Sequence, residues 1–418
     1  MTRSPANVPD QAPHHQASEG VPFYPMPRAA SRPLDPAPAL GALQAEGPLV
    51  RVRLWDDSTP WLVTRHAEQR ALLADPRVST EPERPGYPDT SASLRESRAK
   101  RRSFINMDDP EHARLRRMVT GAFTIRRIEA LRPAVQQIVD DLVSDLLAGP
   151  KPADLVAAFA LPVPTLAISH LLGVPYADHD FFQRCGAVIA DRGTPPEETR
   201  EAQAALLDYL ERLAARKLDA PGDDLLSRLA AEQWQTGQLT RQELAATALL
   251  LLIAGHETTA NMIALGTLAL LRHPEQLAAL RDCDDPKVIA GAVEELLRYL
   301  SVLHAGRRRV ALADIEIAGQ VIRAGEGLIM PSEIANRDEA VFGCPAALDV
   351  HRDAREHMAF GFGVHQCLGQ PLARLELQVV CGTLYRRIPT LALAASLDDL
   401  RFKHDAIVYG VDELPVTW

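Results

Sequence analysis

A single cysteine stands in a glycine-rich stretch near the end of the chain. The segment FGFGVHQCLG, residues 360–369, places glycines at positions 361, 363 and 369 around Cys367. Glycine allows the backbone to pass close to a large flat ligand where side chains would collide. Pro371 and the apolar periodicity after it predict a helix that begins just beyond Cys367. A thiolate at a helix N-terminus is stabilised by the helix dipole, so the stretch favours a metal-binding sulfur. A buried structural cysteine is the alternative.

A second group of polar residues interrupts a long apolar helix predicted over residues 240–272. Thr240 and Glu243 form a capping box at its start, and a His-Pro pair ends it. Its centre, residues 254–259, reads AGHETT. A glycine within a helix and a carboxylate beside an apolar run are both unfavourable, so we interpret this centre as a functional site. A polar face turned to solvent is the alternative.

Two sets of charged residues have the spacing of neighbours on one helical face. Glu295 lies three residues before Arg298, and Glu294 lies four residues before the same arginine. His112 and Arg116 are also four residues apart. Solvated surface charges are the alternative for both sets.

The elements that must position these residues are mostly helical. Apolar residues at spacings of three and four predict helices over residues 125–147, 197–218 and 240–272. Alternating patterns predict a hairpin from residues 50–55 and 61–65 and short antiparallel strands within residues 314–330. We find no internal repeat and no convincing interdomain linker. The sequence therefore predicts a mainly α fold with a small antiparallel β region, in one domain over residues 21–418.

Composition limits the class of protein. The chain has 418 residues, a net charge of −10 and a pI near 5.7, which argues against nucleic acid as the main partner. Five cysteines without close pairing fit a reducing compartment. Residues 1–20 predict a disordered tail and not a signal peptide. The most apolar run, residues 244–255, is about half the ~20 residues needed to span a bilayer, so we expect a cytoplasmic protein with no membrane partner.

The segment around Cys367 resembles the haem-binding loop of the cytochrome P450 family, and the other motifs follow in the family's order over residues 21–418. The resemblance implies the cytochrome P450 fold, with haem b between the long central helix and the helix after Cys367. It implies that Cys367 is the thiolate ligand of the iron. It also implies a monooxygenase that inserts one oxygen atom from dioxygen into an organic substrate, by hydroxylation or epoxidation.

The same resemblance assigns roles within the central helix and among the charged residues. Glu257 relays protons and Thr258 holds dioxygen by hydrogen bonding. The residues that leave room for dioxygen and substrate are Ala254 and Gly255. The residues that match the family's structural acid–arginine group are Glu295, Arg298 and Arg352.

Haem propionates need cationic or hydrogen-bonding partners, because unpaired buried charge is costly. Within the run of arginines at 307–309, spacing to Asp314 and to Arg298 favours Arg309 for this role. The residues that the resemblance places at the haem are His112, Arg116, Ala254, Gly255, Arg309, Phe360, Gly361, His365, Cys367 and Gly369.

The partners are also expectations from the resemblance. With no reductase-like extension or N-terminal anchor in the sequence, we expect electrons from NAD(P)H through a separate ferredoxin and ferredoxin reductase. Arg114 and Arg117 are candidates for contacting an acidic ferredoxin. We expect the chain to be a monomer.

The resemblance places the substrate pocket near three segments of the chain. These are the loop at residues 83–104, the stretch at residues 178–196, and the residues Leu303, His304 and Ala305. His304 is a candidate hydrogen-bond donor, and Arg101 and Arg102 are candidates for a polar substrate or else a solvated charge run. We expect hydroxylation of a bacterial secondary metabolite. The alternatives are haem-thiolate chemistry other than monooxygenation, such as peroxygenase, isomerase or coupling reactions, and a non-catalytic haem sensor.

Overall fold

The computed structural model describes residues 20–92, 94–95, 103–190, 195–304, 306–404 and 406–418. The predicted disordered tail lies outside the described residues except for Gly20. Three residues expected near the substrate, Arg101, Arg102 and Ala305, also lie outside them.

Helices make up most of the described structure. In chain order they are Pro38–Glu46 (α1), His66–Ala74 (α2), Glu111–Thr120 (α3), Ile125–Ala130 (α4), Arg132–Ala148 (α5), Pro162–Leu172 (α6), His179–Ala190 (α7), Pro196–Asp219 (α8), Leu225–Arg228 (α9), Arg241–Arg272 (α10), Pro274–Arg281 (α11), Pro286–Leu300 (α12), Ser332–Ala335 (α13) and Gln370–Arg387 (α14).

The predicted helix over residues 125–147 is wrong in one respect, because it is two helices. α4 ends at Ala130, and α5 begins at Arg132 with Pro133 in its first turn. Proline lacks an N–H group and its ring collides with the preceding helical turn, so the chain restarts the helix at this point.

The long central helix α10 has the ends that the sequence predicts. The Thr240 side chain accepts a hydrogen bond from the Glu243 N–H, and the Glu243 carboxylate accepts one from the Thr240 N–H. Among the described helices, α10 alone is long and apolar enough to cross a membrane, and 61% of its most apolar stretch is buried inside the protein. It packs against α6, α8 and α14 and is a core helix.

The strands form three small sheets. They are Leu49–Arg51 (β1), Trp61–Val63 (β2), Val78–Ser79 (β3), Ala153–Asp154 (β4), Arg307–Ala311 (β5), Ile315–Ile317 (β6), Gln320–Ile322 (β7), Gly327–Met330 (β8), Ala392–Leu393 (β9) and Pro415–Thr417 (β10). The five-stranded sheet has the order β1-β2-β8-β5-β3, the second sheet has the order β4-β10-β9, and β6 pairs with β7.

The predicted hairpins are confirmed, with one difference in the larger sheet. β1 pairs with β2 and β6 with β7 in antiparallel register. β2 and β8, however, pair in parallel, with Trp61 opposite Leu328. The β region is therefore mixed, since a segment early in the chain joins one that follows more than half the chain later.

Candidate functional site

Cys367 lies in a tight loop that leads into α14. A turn of 3-10 helix, Gly363–His365, precedes it, and Gly369 is the N-cap of α14. The Cys367 N–H donates to the Phe360 carbonyl over 2.8 Å. The Cys367 side chain is accessible, yet the protein around it is dense enough to desolvate the sulfur. Its accessible surface therefore faces an internal space.

The electrostatics of this thiol differ from the sequence prediction. Burial raises the pKa of Cys367, and this effect exceeds the opposing effects of the Gly369 N–H and of the Arg307 and Arg116 guanidinium groups. The cysteine lies at the helix N-terminus as predicted, but that position alone does not make the thiolate the stable form. A metal cation at the sulfur would do so, because coordination deprotonates a thiol.

Two of the three loop glycines are required by the backbone conformation, independently of any ligand. Gly361 and Gly363 have φ values of +73° and +74°, which L side chains rarely adopt. A Cβ atom at Gly363 would lie 2.3 Å from the Leu73 carbonyl oxygen of α2. A Cβ atom at Gly369 would meet only the Cys367 Sγ, at 3.9 Å. Close approach to a ligand is therefore only part of the reason for this glycine pattern.

The centre of α10 is accessible on one side although the helix crosses the core. Ala254 is exposed, and the Thr258 hydroxyl donates to the Ala254 carbonyl over 2.8 Å. Gly255 lies on a different side, where its missing Cβ would be 3.8 Å from the Ile168 side chain of α6. An added Cβ at that distance would make an ordinary van der Waals contact, so the prediction that Ala254 and Gly255 leave room for dioxygen and substrate stays a prediction.

A buried acid connects α10 to the helix that follows Cys367. Glu376 of α14 is 2% exposed, and burial raises its pKa to about 8, although a hydrogen bond with Thr259 acts in the opposite direction. Thr259 directly follows Thr258 on α10. This bond brings the polar centre of α10 against α14, nine residues beyond Cys367.

Strand β5 directs two arginines toward the Cys367 loop. Side chains alternate along a strand, so Arg307 and Arg309 share one face and Arg308 faces Asp89, 3.8 Å away. Arg307 Nη2 donates to the Ala359 carbonyl over 2.8 Å, and burial lowers its pKa to about 10. Burial also lowers the pKa of Arg309. The choice of a single arginine from residues 307–309 missed this alternation, which is visible in the sequence.

Two histidines and a third arginine meet on the other side of the loop. The His112 and His365 rings are 4.1 Å apart, and Arg116 Nη2 donates to the Gln366 carbonyl over 2.5 Å. Burial, helped by the Arg309 cation, lowers the pKa of His365 to about 3. Its ring is therefore neutral at pH 7 in the geometry described.

This cationic surround fits the dianionic edge of a haem. Arg307 Nη1 and His112 Nε2 are buried and, among the described residues, have no hydrogen-bond partner. Buried polar atoms without partners are costly, and an anionic group at this site would accept a hydrogen bond from the Arg307 guanidinium.

The structural acid–arginine group is assembled as predicted. Both oxygens of Glu295 accept from Arg298, at 2.6 and 2.8 Å, and both side chains are fully buried. Arg352 Nε reaches the same carboxylate at 3.2 Å. Glu294, the alternative partner of Arg298, instead contacts His357 and Arg374. The surface-pair alternative is wrong for Glu295.

Leu303 and His304, which are predicted to lie at the substrate, contact a hairpin near the C-terminus. Leu303 bridges Val408, and the His304 N–H donates to the Ile407 carbonyl over 3.1 Å. His304 is 5% exposed, and its Nδ1 lies 3.9 Å from Glu333 Oε2. In this structure His304 therefore faces a buried acid on one side.

Two functional candidates escape sequence reasoning. Lys403 Nζ lies 3.9 Å from Glu257 Oε1 although 146 positions separate them, and Glu376 meets Thr259 across 117 positions. Neither residue has a local motif, because each acts on a partner that is remote in sequence.

Comparison with known proteins agrees with this geometry. The family model "Cytochrome P450" matches residues 197–388. Cytochrome P450 GfsF of Streptomyces halstedii is 56% identical over 96% of this chain and 97% of its own, and the crystal structure of GfsF gives a TM-score of 0.91 over 95% of this chain and 100% of that one.

Two further relatives have names that state a reaction. Pentalenic acid synthase of Streptomyces avermitilis is 50% identical over 94% of this chain and 96% of its own. The structure of the mycinamicin VIII C21 methyl hydroxylase MycCI of Micromonospora griseorubida is 43% identical, with a TM-score of 0.86 over 95% of this chain and 100% of that one. With identities of this size over nearly its whole length, the chain belongs to the cytochrome P450 family and is a haem b monooxygenase that takes electrons from external redox partners.

Proposed function

We propose that Cys367 is the proximal thiolate ligand of the haem and that residues 21–418 form one haem domain. The observation that carries this proposal is the accessible sulfur at the centre of a cationic surround with unsatisfied donors. Haem b, when bound, supplies the activation of dioxygen and the insertion of one oxygen atom into the substrate.

The chain's own residues hold the cofactor in this proposal. Arg309, His112, Arg116 and His365 bind the propionates, as the sequence predicts, and the alternation along β5 adds Arg307. Phe360, Gly361 and Gly369 shape the loop that presents the sulfur. Ala254 provides the accessible surface on the opposite helix.

Proton delivery is assigned to Thr258 and Glu257. The Thr258 hydroxyl donates its proton to the Ala254 carbonyl, so its oxygen is left to accept a hydrogen bond from a protonated group. Glu257 is partly exposed, so its carboxylate is in contact with solvent, and it lies 3.9 Å from the Lys403 ammonium. This pair can pass a proton from solvent to the accessible side of α10.

The proposed substrate is a secondary metabolite of bacterial type, and the proposed reaction is hydroxylation or epoxidation. Two of the relatives named above are called pentalenic acid synthase and mycinamicin VIII C21 methyl hydroxylase, which supports a substrate of this class. Leu303, His304 and Ala305 are proposed to line its site, with the hairpin at residues 402–411 beside them.

A ferredoxin, reduced by an NAD(P)H-dependent ferredoxin reductase, is the proposed electron donor in a cytoplasmic, soluble, monomeric enzyme. Arg117 is exposed on α3, one residue from Arg116. Beside it lies a cleft of about 390 Å³ lined also by Arg114, Met118 and Gln238. An exposed cation next to an apolar cleft suits an acidic protein surface.

The test is the absorption spectrum of the reduced protein with carbon monoxide. We expect the strongly red-shifted Soret band of thiolate ligation. Cys367→Ser should abolish this band, whereas Cys344→Ser, which changes an exposed free cysteine, should leave it intact. A histidine-type band in the unaltered protein, or persistence of the shifted band in Cys367→Ser, would contradict the proposal.

A further inference from the structure

Glu294 is a second acid of α12, and its partners differ from those of Glu295. Its neighbour Glu295 pairs with Arg298, but Glu294 Oε1 accepts from Arg374 Nε at 2.7 Å and its Oε2 accepts from Arg374 Nη2 at 2.9 Å. His357 Nε2 also lies 3.0 Å from Oε2. Burial acts to raise the pKa of Glu294, but the hydrogen bonds from His357 and Arg374 hold it at about 2. The carboxylate therefore joins α12 to α14 and to the chain before Cys367.

The contacts of His357 define its protonation. Its Nδ1 accepts the Ala359 N–H at 3.1 Å, so Nδ1 carries no proton in this arrangement. The proton is therefore on Nε2, which donates to Glu294. Through this neutral ring, Glu294 fixes the backbone of Ala359.

Phe360 is held on two sides by the same group of residues. The Arg374 guanidinium lies 4.7 Å from the centre of the Phe360 ring, and the His357 ring is 5.7 Å away. The Phe360 carbonyl accepts the Cys367 N–H. Glu294, His357 and Arg374, which we call the Glu294 clamp, therefore fix the segment that is hydrogen-bonded to the cysteine.

We propose that Glu294 is a positioning residue for the Cys367 loop and, through it, for ligation of the haem iron; the second half of this statement rests on the proposed function of Cys367. The Gly369 and Gln370 N–H groups hydrogen-bond the Cys367 sulfur. Their alignment depends on the loop conformation that the clamp holds. If the loop shifts, hydrogen bonding to the sulfur changes, and with it both the electron donation to the metal and the persistence of the bond.

The experiment compares the purified haem protein with Glu294→Gln and Arg374→Lys. Gln cannot accept the bidentate guanidinium as a carboxylate does, and Lys cannot both bridge the acid and stack on Phe360. Glu275→Gln is the control, since Glu275 is an exposed acid on the adjacent helix α11. The three readouts are amide hydrogen exchange of Ala359 and Cys367, the rate at which the carbon monoxide complex loses its thiolate band, and the reduction potential.

Both clamp variants should exchange the two amides and lose the thiolate band about 10- to 100-fold faster than the unaltered protein and the control. The reduction potential should rise in Glu294→Gln, because the Arg374 cation is left without its counter-ion. Unchanged amide exchange in both variants would overturn the proposal. A missing thiolate band in the unaltered protein, together with faster exchange in the variants, would remove the role in ligation and the proposed function but leave the positioning of the loop.

Discussion

At the scale of single residues, the hydroxyl of Thr258 is oriented by a hydrogen bond to the backbone of its own helix. Its proton is given to the Ala254 carbonyl over 2.8 Å, so the oxygen is an acceptor toward the accessible side of α10. Thr247 makes the same type of bond, to the Glu243 carbonyl over 2.7 Å, in the same helix. The two residues therefore differ in position and not in local geometry.

Replacing Thr258 by Ala should keep haem and substrate binding but divert electrons into hydrogen peroxide, because a proton is no longer guided to the reacting oxygen. We expect the peroxide formed per NAD(P)H oxidised to rise by about tenfold or more, in line with the usual contribution of a positioned proton-transfer group. Thr247→Ala should leave this ratio unchanged. Equal ratios in the two variants would remove Thr258 from proton delivery.

Glu376 is a buried acid that holds its proton near neutral pH. Its folded pKa of about 8 lies above the ordinary value of 4.5, so the folded protein binds more protons than the unfolded chain between these two pH values. The stability that this group contributes is therefore complete below pH 4.5 and is lost as the pH rises toward 8. The slope is at most about 1.4 kcal/mol per pH unit.

Glu376→Gln should remove this dependence. The variant should gain free energy of unfolding over the unaltered protein as the pH rises from 5 to 8, measured by urea unfolding at several pH values. Glu339→Gln, at an exposed position, should run parallel to the unaltered protein. A constant difference between Glu376→Gln and the unaltered protein would show that the acid is ionised throughout.

Residues were predictable from the sequence when their motif was local. Cys367 in its glycine loop and Glu295 with Arg298 one turn later are local patterns. Arg307 could have been predicted from the two-residue alternation of side chains along a strand. Glu376 was not, because only folding brings it to Thr259.

At the scale of elements, the hairpin at residues 402–411 connects residues 302–304, of which the last two are proposed to lie at the substrate, to the centre of α10. Its Tyr409 N–H donates to the Val302 carbonyl over 2.8 Å. On the other side, a Cβ atom at Gly410 would lie 1.6 Å from the Asn261 Oδ1. Asn261 in turn donates to the Glu257 carbonyl over 2.9 Å. The hairpin can approach α10 this closely only because residue 410 is a glycine.

Gly410→Ala should therefore displace the hairpin or rotate Asn261. We expect a loss of about 1–3 kcal/mol in the free energy of unfolding, as for other overpacked sites, and weaker substrate binding measured by the shift of ferric haem to high spin. Gly291→Ala, in α12 with no atom near its added Cβ, should instead be neutral or stabilising by up to about 1 kcal/mol. If Gly410→Ala is as stable as Gly291→Ala, the close contact is not a constraint on the hairpin.

The bounds of helices and strands were predicted correctly where the signal lay in residues that are neighbours in the sequence. The capping box and the His-Pro end of α10 are such signals. The parallel pairing of β2 with β8 was missed because strand partners are chosen by the folded chain, and no short pattern marks them.

At the scale of the whole molecule, the net charge of −10 opposes the approach of an acidic electron carrier. For the proposed ferredoxin, the exposed Arg117 would overcome this repulsion locally. Charges on the rim of an interface act mainly on the rate of association, and salt screens them beyond about 8 Å at 0.15 M ionic strength.

Arg117→Glu should slow reduction of the haem by ferredoxin at low ionic strength and weaken the dependence of this rate on salt, as measured by stopped-flow absorption. Arg401→Glu makes the same charge change at an exposed arginine near the C-terminus and should have a smaller effect. Equal effects of the two substitutions would show that only net charge matters and that α3 is not a docking surface.

The whole fold was predictable because the motifs occur in one order along the chain. The substrate was not predictable on this scale, because it depends on side chains from segments that meet only in the folded protein.

The pairing of β2 with β8 also affects the order in which the chain can fold during its synthesis. Trp61 of β2 donates to Glu326, 265 positions later. At a synthesis rate of about 5–20 residues per second, the first hairpin leaves the ribosome roughly 13 to 53 s before its partner strand exists. During that time the edge of β2 that pairs with β8 lacks its native partner strand, so the rate of synthesis sets how long this edge stays unpaired.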